Sequence, residues 1–132
     1  MKSTSEAPKP LIPRLTTNSK IIKTIVAAIQ DKKGEEVISL NMKNIPESIA
    51  DFFIICEASN PTLLKAIADH VEKKVKEDCE EWPYHLEGKQ GEKWIIIDYV
   101  NVVVHCMMPD VRGFYNLEEL WQDAPRKEYQ EN

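Results

Sequence analysis

At 132 residues and a net charge of −5, the chain is sized for one domain with its own apolar core. Its acidic balance and only three arginines, Arg14, Arg112 and Arg126, exclude a surface built to neutralise phosphates. Little direct nucleic-acid contact is therefore expected, and an acidic domain is steered towards basic protein partners instead. The three cysteines, Cys56, Cys79 and Cys106, stand far apart with no C-x-x-C, which reads as reduced thiols in a cytoplasmic protein. No apolar run approaches the roughly 20 residues of a membrane helix, and the N-terminus lacks a signal-peptide core.

Residues 1–16 hold Pro8, Pro10 and Pro13 among Ser, Thr and Lys, the composition of a flexible tail, with Leu11, Ile12 and Leu15 available to pack on the domain. A single domain is expected over 17–122. Thr17-Asn18-Ser19 offers N-caps for a helix to about Lys33, its apolar stripe being Ile21, Ile22, Ile25, Val26 and Ile29. Gly34 fits the residue just past that helix, where positive φ costs a glycine little. Glu36–Met42 alternates as a half-buried strand, and Asn44-Ile45-Pro46-Glu47 breaks it. Asp51–Glu57 is a short continuous apolar run, as in a strand covered on both faces.

Ser59-Asn60-Pro61 starts a second helix that buries Leu64, Ile67, Ala68, Val71 and Val75 and ends between Cys79 and Pro83. Tyr84-His85-Leu86 reads as a short edge strand leading into a mobile loop over Gly88–Lys93. After a hairpin, Pro109-Asp110 caps a final helix with Val111, Phe114, Leu117, Leu120 and Trp121 on its apolar face. Asp123-Ala124-Pro125 ends it, and 123–132 is expected to fray. The order predicts an α/β fold: helices packed on a mixed sheet of about five strands, with one parallel pair made through the second helix.

The hairpin, Trp94–Ile97 and Val102–Met107, carries the most information. With Tyr99-Val100 as its turn, Ile97 would face Val102, Ile96 would face Val103 and Trp94 would face His105. Period-two alternation gives one wholly apolar face: Ile95, Ile97, Val102, Val104 and Cys106. The other face mixes Trp94, Ile96, Asp98, Asn101, Val103, His105 and Met107. Two readings fit it: Trp94 and Met107 plug a second buried layer, or the face, joined by Tyr115 and Arg112, docks a partner, since Trp, Tyr, Met and Arg are favoured at interface centres.

Chemistry finds little support. His105 and Cys106 are adjacent on a strand and point to opposite faces, and no His or Cys spacing matches a zinc site. Glu87, Asp98 and Asp51 could meet at one sheet end. Yet no Asp-x-Asp lies on a strand, and Gly88 and Gly91 match no phosphate loop. No catalytic residue, metal or cofactor is expected.

Several motifs in order resemble the ribosomal silencing factor (Iojap-like) family: Ala50-Asp-Phe-Phe-Ile-Ile-Cys56, Ile67-Ala-Asp-His-Val71, Glu87-Gly88, Trp94-Ile-Ile-Ile-Asp98, Val102-Val-Val-His105 and Arg112-Gly-Phe-Tyr-Asn-Leu-Glu-Glu-Leu-Trp121. The match runs from about Ser19 to Trp121. It implies a nucleotidyltransferase-like fold without the catalytic motif. It also implies a translation repressor that docks on the fourteenth protein of the large ribosomal subunit and blocks joining of the small subunit when nutrients fall. Glu87, Trp94, Asp98, His105 and Tyr115 match family motif positions, and Met107 stands where the family keeps an apolar residue; these are the expected partner-binding residues. The alternatives are a large-subunit assembly factor or an enzyme with a degenerate nucleotidyltransferase-like site. The family commonly has Gly-Asp or Gly-Asn in the hairpin turn where this chain has Val100-Asn101, which leaves the turn type open. The mixed face is also free to pair with a second copy when no ribosome is present, so the sequence leaves the free protein's oligomeric state open.

Overall fold

The computed structural model describes residues 14–130. The elements run α1 (Lys20–Asp31), β1 (Glu35–Asn41), β2 (Phe52–Glu57), α2 (Pro61–Cys79), β3 (His85–Glu87), β4 (Trp94–Asp98), β5 (Val102–Met107), α3 (Pro109–Tyr115), α4 (Leu117–Leu120) and β6 (Arg126–Glu128). They form a six-stranded sheet in the order β3-β4-β5-β2-β1-β6. All neighbours are antiparallel except β2 and β5, the parallel pair that the α2 crossover makes possible. Among the described residues no helix is long and apolar enough to cross a membrane.

The two long helices lie on one face of the sheet. The stripes of α1 and α2 meet Val37, Phe52, Ile54, Cys56, Ile95, Ile97, Val102, Val104 and Cys106 in one core. Asn60 caps α2 by accepting a hydrogen bond from the Leu63 amide at 2.8 Å. Cys56 and Cys106 face one another across the parallel pair, and all three cysteines are free thiols. Their mutual hydrogen bond and burial push the Cys56 thiol up, so it stays protonated.

A smaller cluster fills the opposite face: Ile38, Leu40, Met42, Ile55, Met107, Leu117 and Ala124, flanked by Phe53, Trp94, Val111 and Trp121. It makes β1 a strand buried on both faces rather than half-buried. The lid over it is α3–α4, which is two short helices instead of one. Asn116 takes φ 45° and breaks the run, so Phe114 and Leu120 turn outward instead of completing an apolar stripe.

Three further expectations are corrected. Residues 126–128 pair with β1 as a sixth strand instead of fraying, and Tyr129 Oη sits 3.1 Å from Ser39 Oγ. Residues 14–16 are docked, because Asp51 accepts from the Arg14 guanidinium at 2.8 Å and from the Leu15 amide at 2.9 Å; residues 1–13, with Leu11 and Ile12, lie outside the described residues. The loop after β3 is fastened by Lys89, which pairs with Asp69 and Glu72 of α2.

Glycine placement differs too. The left-handed residue after α1 is Lys33 (φ 62°), and Gly34 follows it, donating to the Ile29 carbonyl at 2.9 Å. That is the six-to-one bond of a Schellman ending. Gly34 is needed for space, since a Cβ there would lie 2.4 Å from Ile29 Cγ2.

The β4–β5 register is Ile97 with Val104, Ile96 with His105 and Trp94 with Met107, two residues from the expected pairing. An even shift leaves every side chain on its expected face, which is why the two-face assignment survives. The cause is the longer loop. Tyr99 donates to Val102 at 2.9 Å, Asn101 donates to Tyr99 at 2.9 Å, and Val100 stands at φ 73°. A β-branched residue there is strained by roughly 1–2 kcal/mol. Asp98 Oδ1 holds the turn by accepting from the Val100 amide at 2.7 Å. Val100→Asn should therefore raise the unfolding free energy by about 1 kcal/mol in a urea titration, with an unchanged m-value.

Candidate functional site

With both long helices on one side and only α3–α4 on the other, the β3–β4–β5–β2 end of the second face stays open. Alternation along three strands decides what stands there. His85 and Glu87 come from β3, Trp94, Ile96 and Asp98 from β4, and Phe53 from β2; the register sets His85 opposite Asp98 and Glu87 opposite Ile96.

The open face carries six rings in continuous contact. Phe114 meets Tyr115 edge-on at 5.0 Å, and Tyr115 lies 4.9 Å from Trp94. Trp94 is 5.8 Å from His105, His105 is 4.9 Å from Phe53, and Phe53 is 6.4 Å from Trp121. Each well-placed aromatic pair adds about 0.5–1.5 kcal/mol beyond its buried area. The row is therefore rigid, and one end is exposed, Phe114 being 81% and Tyr115 53% accessible, while Trp121 at the other end is half-buried.

His105 is the buried link of this row, only 7% accessible. Its Nδ1 accepts from the Trp94 indole N–H at 3.1 Å, which leaves the proton of the neutral ring on Nε2. That nitrogen is buried without a partner among the described residues. Burial lowers the His105 pKa to about 4, so the ring is neutral at physiological pH and fixes the indole as an acceptor.

Of the expected site residues, Glu87, Trp94, Asp98 and Tyr115 share the open face. His105 supports it from inside. Met107 is a correction, since it is fully buried under Val111 and Leu117 and forms floor rather than surface. Arg112, expected on the docking face, is also buried. It donates to Glu57 at 3.2 Å, Glu118 at 2.8 Å and the Glu36 carbonyl at 2.7 Å, clamping α3–α4 onto the sheet. Burial pushes the Glu57 carboxyl up against the opposing pull of Arg112.

Each of the three carboxylates has its own partner. Asp51 is occupied by Arg14 and Leu15, Glu87 by His85 at 2.5 Å, and Asp98 by the Val100 amide. Among the described residues no three His, Cys, Asp or Glu side chains lie close enough to hold a metal ion.

Sequence reasoning missed Phe53 and the far end of the face. Phe53 was legible from parity, since it alternates with the buried Phe52. Ile49, Tyr84 and Val100 are exposed loop residues around a groove of about 370 Å³ that also involves Phe53, Val103 and Trp121; no periodicity announces them.

The architecture defines a class: an α/β domain with one helix-covered sheet face and one aromatic, acid-rimmed face left open. Comparison with known proteins makes that specific. The family model described as "Ribosomal silencing factor during starvation" matches residues 16–132, and the chain belongs to that family. It is 43% identical over 112 residues to "Ribosomal silencing factor RsfS" of Halalkalibacterium halodurans, covering 85% of this chain and 94% of the relative. A crystal structure of a Chromobacterium violaceum protein superposes with a TM-score of 0.74 at 32% identity, covering 78% of this chain and 84% of that one. A mouse protein named "Mitochondrial assembly of ribosomal large subunit protein 1" is 28% identical over 103 residues, covering 76% of this chain and 44% of the relative.

The depressed His105 pKa carries a sign. The folded ring binds a proton less readily than the unfolded one, so its contribution is complete above about pH 6.5 and is lost as pH falls towards 4. The loss should reach about 3 kcal/mol. Urea titrations between pH 7 and 4 should show this slope, and His105→Gln, which cannot titrate, should lack it.

Proposed function

We propose that the chain represses translation by binding the large ribosomal subunit through its fourteenth protein and keeping the small subunit from joining. Family membership supplies the ribosomal context, and the family description ties silencing to starvation. The observation that carries the reading is the rigid aromatic row, exposed at Tyr115 and Phe114 and bordered by Asp98 and Glu87.

On this reading Trp94 and Tyr115 are the central anchors, and Asp98 and Glu87 meet Lys or Arg of a basic partner. His105 positions the indole, and Met107 supports it from the floor. The bulk of the domain does the rest: a body held on one subunit face obstructs the other subunit without chemistry. The site of action is the cytoplasm, where translating subunits join. A free protein leaves the same face open to a second copy.

A second reading, assembly of the large subunit, is favoured by the name of the mouse relative. It shares the docking step and differs in outcome. Depletion would then accumulate immature large subunits, whereas silencing alone leaves maturation intact and raises the joined fraction in starved cells.

Co-sedimentation with isolated large subunits tests the face. Trp94→Ala should weaken binding by about 2 kcal/mol, or roughly thirtyfold. Asp98→Asn keeps the acceptor for Val100 and should weaken binding mainly at low salt, flattening its salt dependence. Wild-type binding by both folded variants overturns the proposal.

A further inference from the structure

We infer that the groove at the Tyr84–Trp121 end of the open face is the seat of the chain's own N-terminal segment, Pro8-Lys9-Pro10-Leu11-Ile12-Pro13. The consequence for ribosome binding rests on the reading above; the seat itself does not.

Position is the first argument. The described chain starts at Arg14, held where Asp51 Oδ1 accepts from Nε at 3.0 Å and Nη2 at 2.8 Å. Asp51 Oδ2 takes the Leu15 amide at 2.9 Å, and Lys43 Nζ donates to the Leu15 carbonyl at 2.6 Å. Asp51 directly follows Ala50, a wall residue of the groove. The segment before Arg14 is therefore tethered beside the rim, at a high effective concentration.

Chemistry is the second. Pro10 and Pro13 are spaced P-x-x-P, with Leu11 and Ile12 between them and Lys9 in front. Such segments favour the extended polyproline conformation and dock in aromatic-lined grooves. Residues preceding proline, here Ala7, Lys9 and Ile12, are restricted towards extended backbone as well, which reduces the entropy lost on seating. Six residues in that conformation span about 19 Å. The groove presents Phe53, Tyr84 and Trp121 as aromatic walls, with Met42 and Ile49 between them.

Charge is the third. The charged residues lining the groove are Glu47 and Asp98, with no cation among them. Residues 1–13 carry Lys2 and Lys9 against the single Glu6. A seated tail brings its lysine charge to a groove lined by Glu47 and Asp98, and Asp98 is the carboxylate that the reading above gives to the ribosomal partner. Tail and partner therefore compete, and the tail acts as a tethered competitor that sets how much of the protein is free to bind.

The test uses the full chain, isotope-labelled. Nuclear Overhauser contacts should run from the Leu11 and Ile12 methyls to the Tyr84 and Trp121 rings, at an intensity unaffected by dilution. The Leu11→Ser/Ile12→Ser variant should lose them and shift the amides of Ile49, Ala50 and Val103. If the tail fills the groove nine-tenths of the time, this variant should bind large subunits about tenfold tighter. Absent contacts with unchanged amides overturn the seat, whatever the ribosome assay shows. Contacts that fade on dilution overturn it in favour of a second copy's tail. Persistent contacts with unchanged ribosome affinity uphold the seat and overturn the competition, placing the fault in the assignment of this end of the face to the ribosomal partner.

Discussion

Arg112 is the interaction on which the rest of the structure depends. Its guanidinium lies between Glu57 at the end of β2 and Glu118 of α4, and also caps the Glu36 carbonyl. Breaking such a buried cluster costs about 3–5 kcal/mol, because the remaining charges lose their partner. The clamp holds α3–α4 over one half of the second sheet face and nowhere else. The covered half buries Met107 and Leu117 as core; at its border Trp94 is half-buried against Tyr115, and Asp98, also half-buried, stands on the uncovered half. One side chain thus decides where core ends and surface begins.

The uncovered half is an aromatic surface bordered by carboxylates. Its rings meet in tilted and edge-on contacts, and a neutral imidazole accepts from the central indole. Its carboxylates are separately engaged, and none is paired with another for proton transfer or metal binding. A pre-ordered aromatic surface loses little conformational entropy when covered.

Much of the fold was legible from periodicity. The stripes of α1 and α2 and the faces of the hairpin were readable because each residue's burial follows from its spacing alone. The hairpin faces survived a wrong register, since a shift of two preserves parity. The misses have physical reasons. Val100 at positive φ contradicts its own steric preference and is held by Asp98 and the loop's hydrogen bonds. The break at Asn116 looks helical in sequence, and only its left-handed backbone turns Phe114 and Leu120 outward. Residues 126–128 are charged, and only the open edge of β1 makes them a strand. Met107 and Arg112 fitted an interface by residue type, but Arg112 anchors the lid that buries Met107, and no local pattern encodes a lid.

The two outermost strands, β3 and β6, are three residues long, and β6 reads Arg-Lys-Glu. Short, charged margins of this kind deny a neighbouring chain the backbone ladder it would need to extend the sheet. Sideways growth into fibrils is thereby disfavoured even though a broad aromatic surface stands exposed.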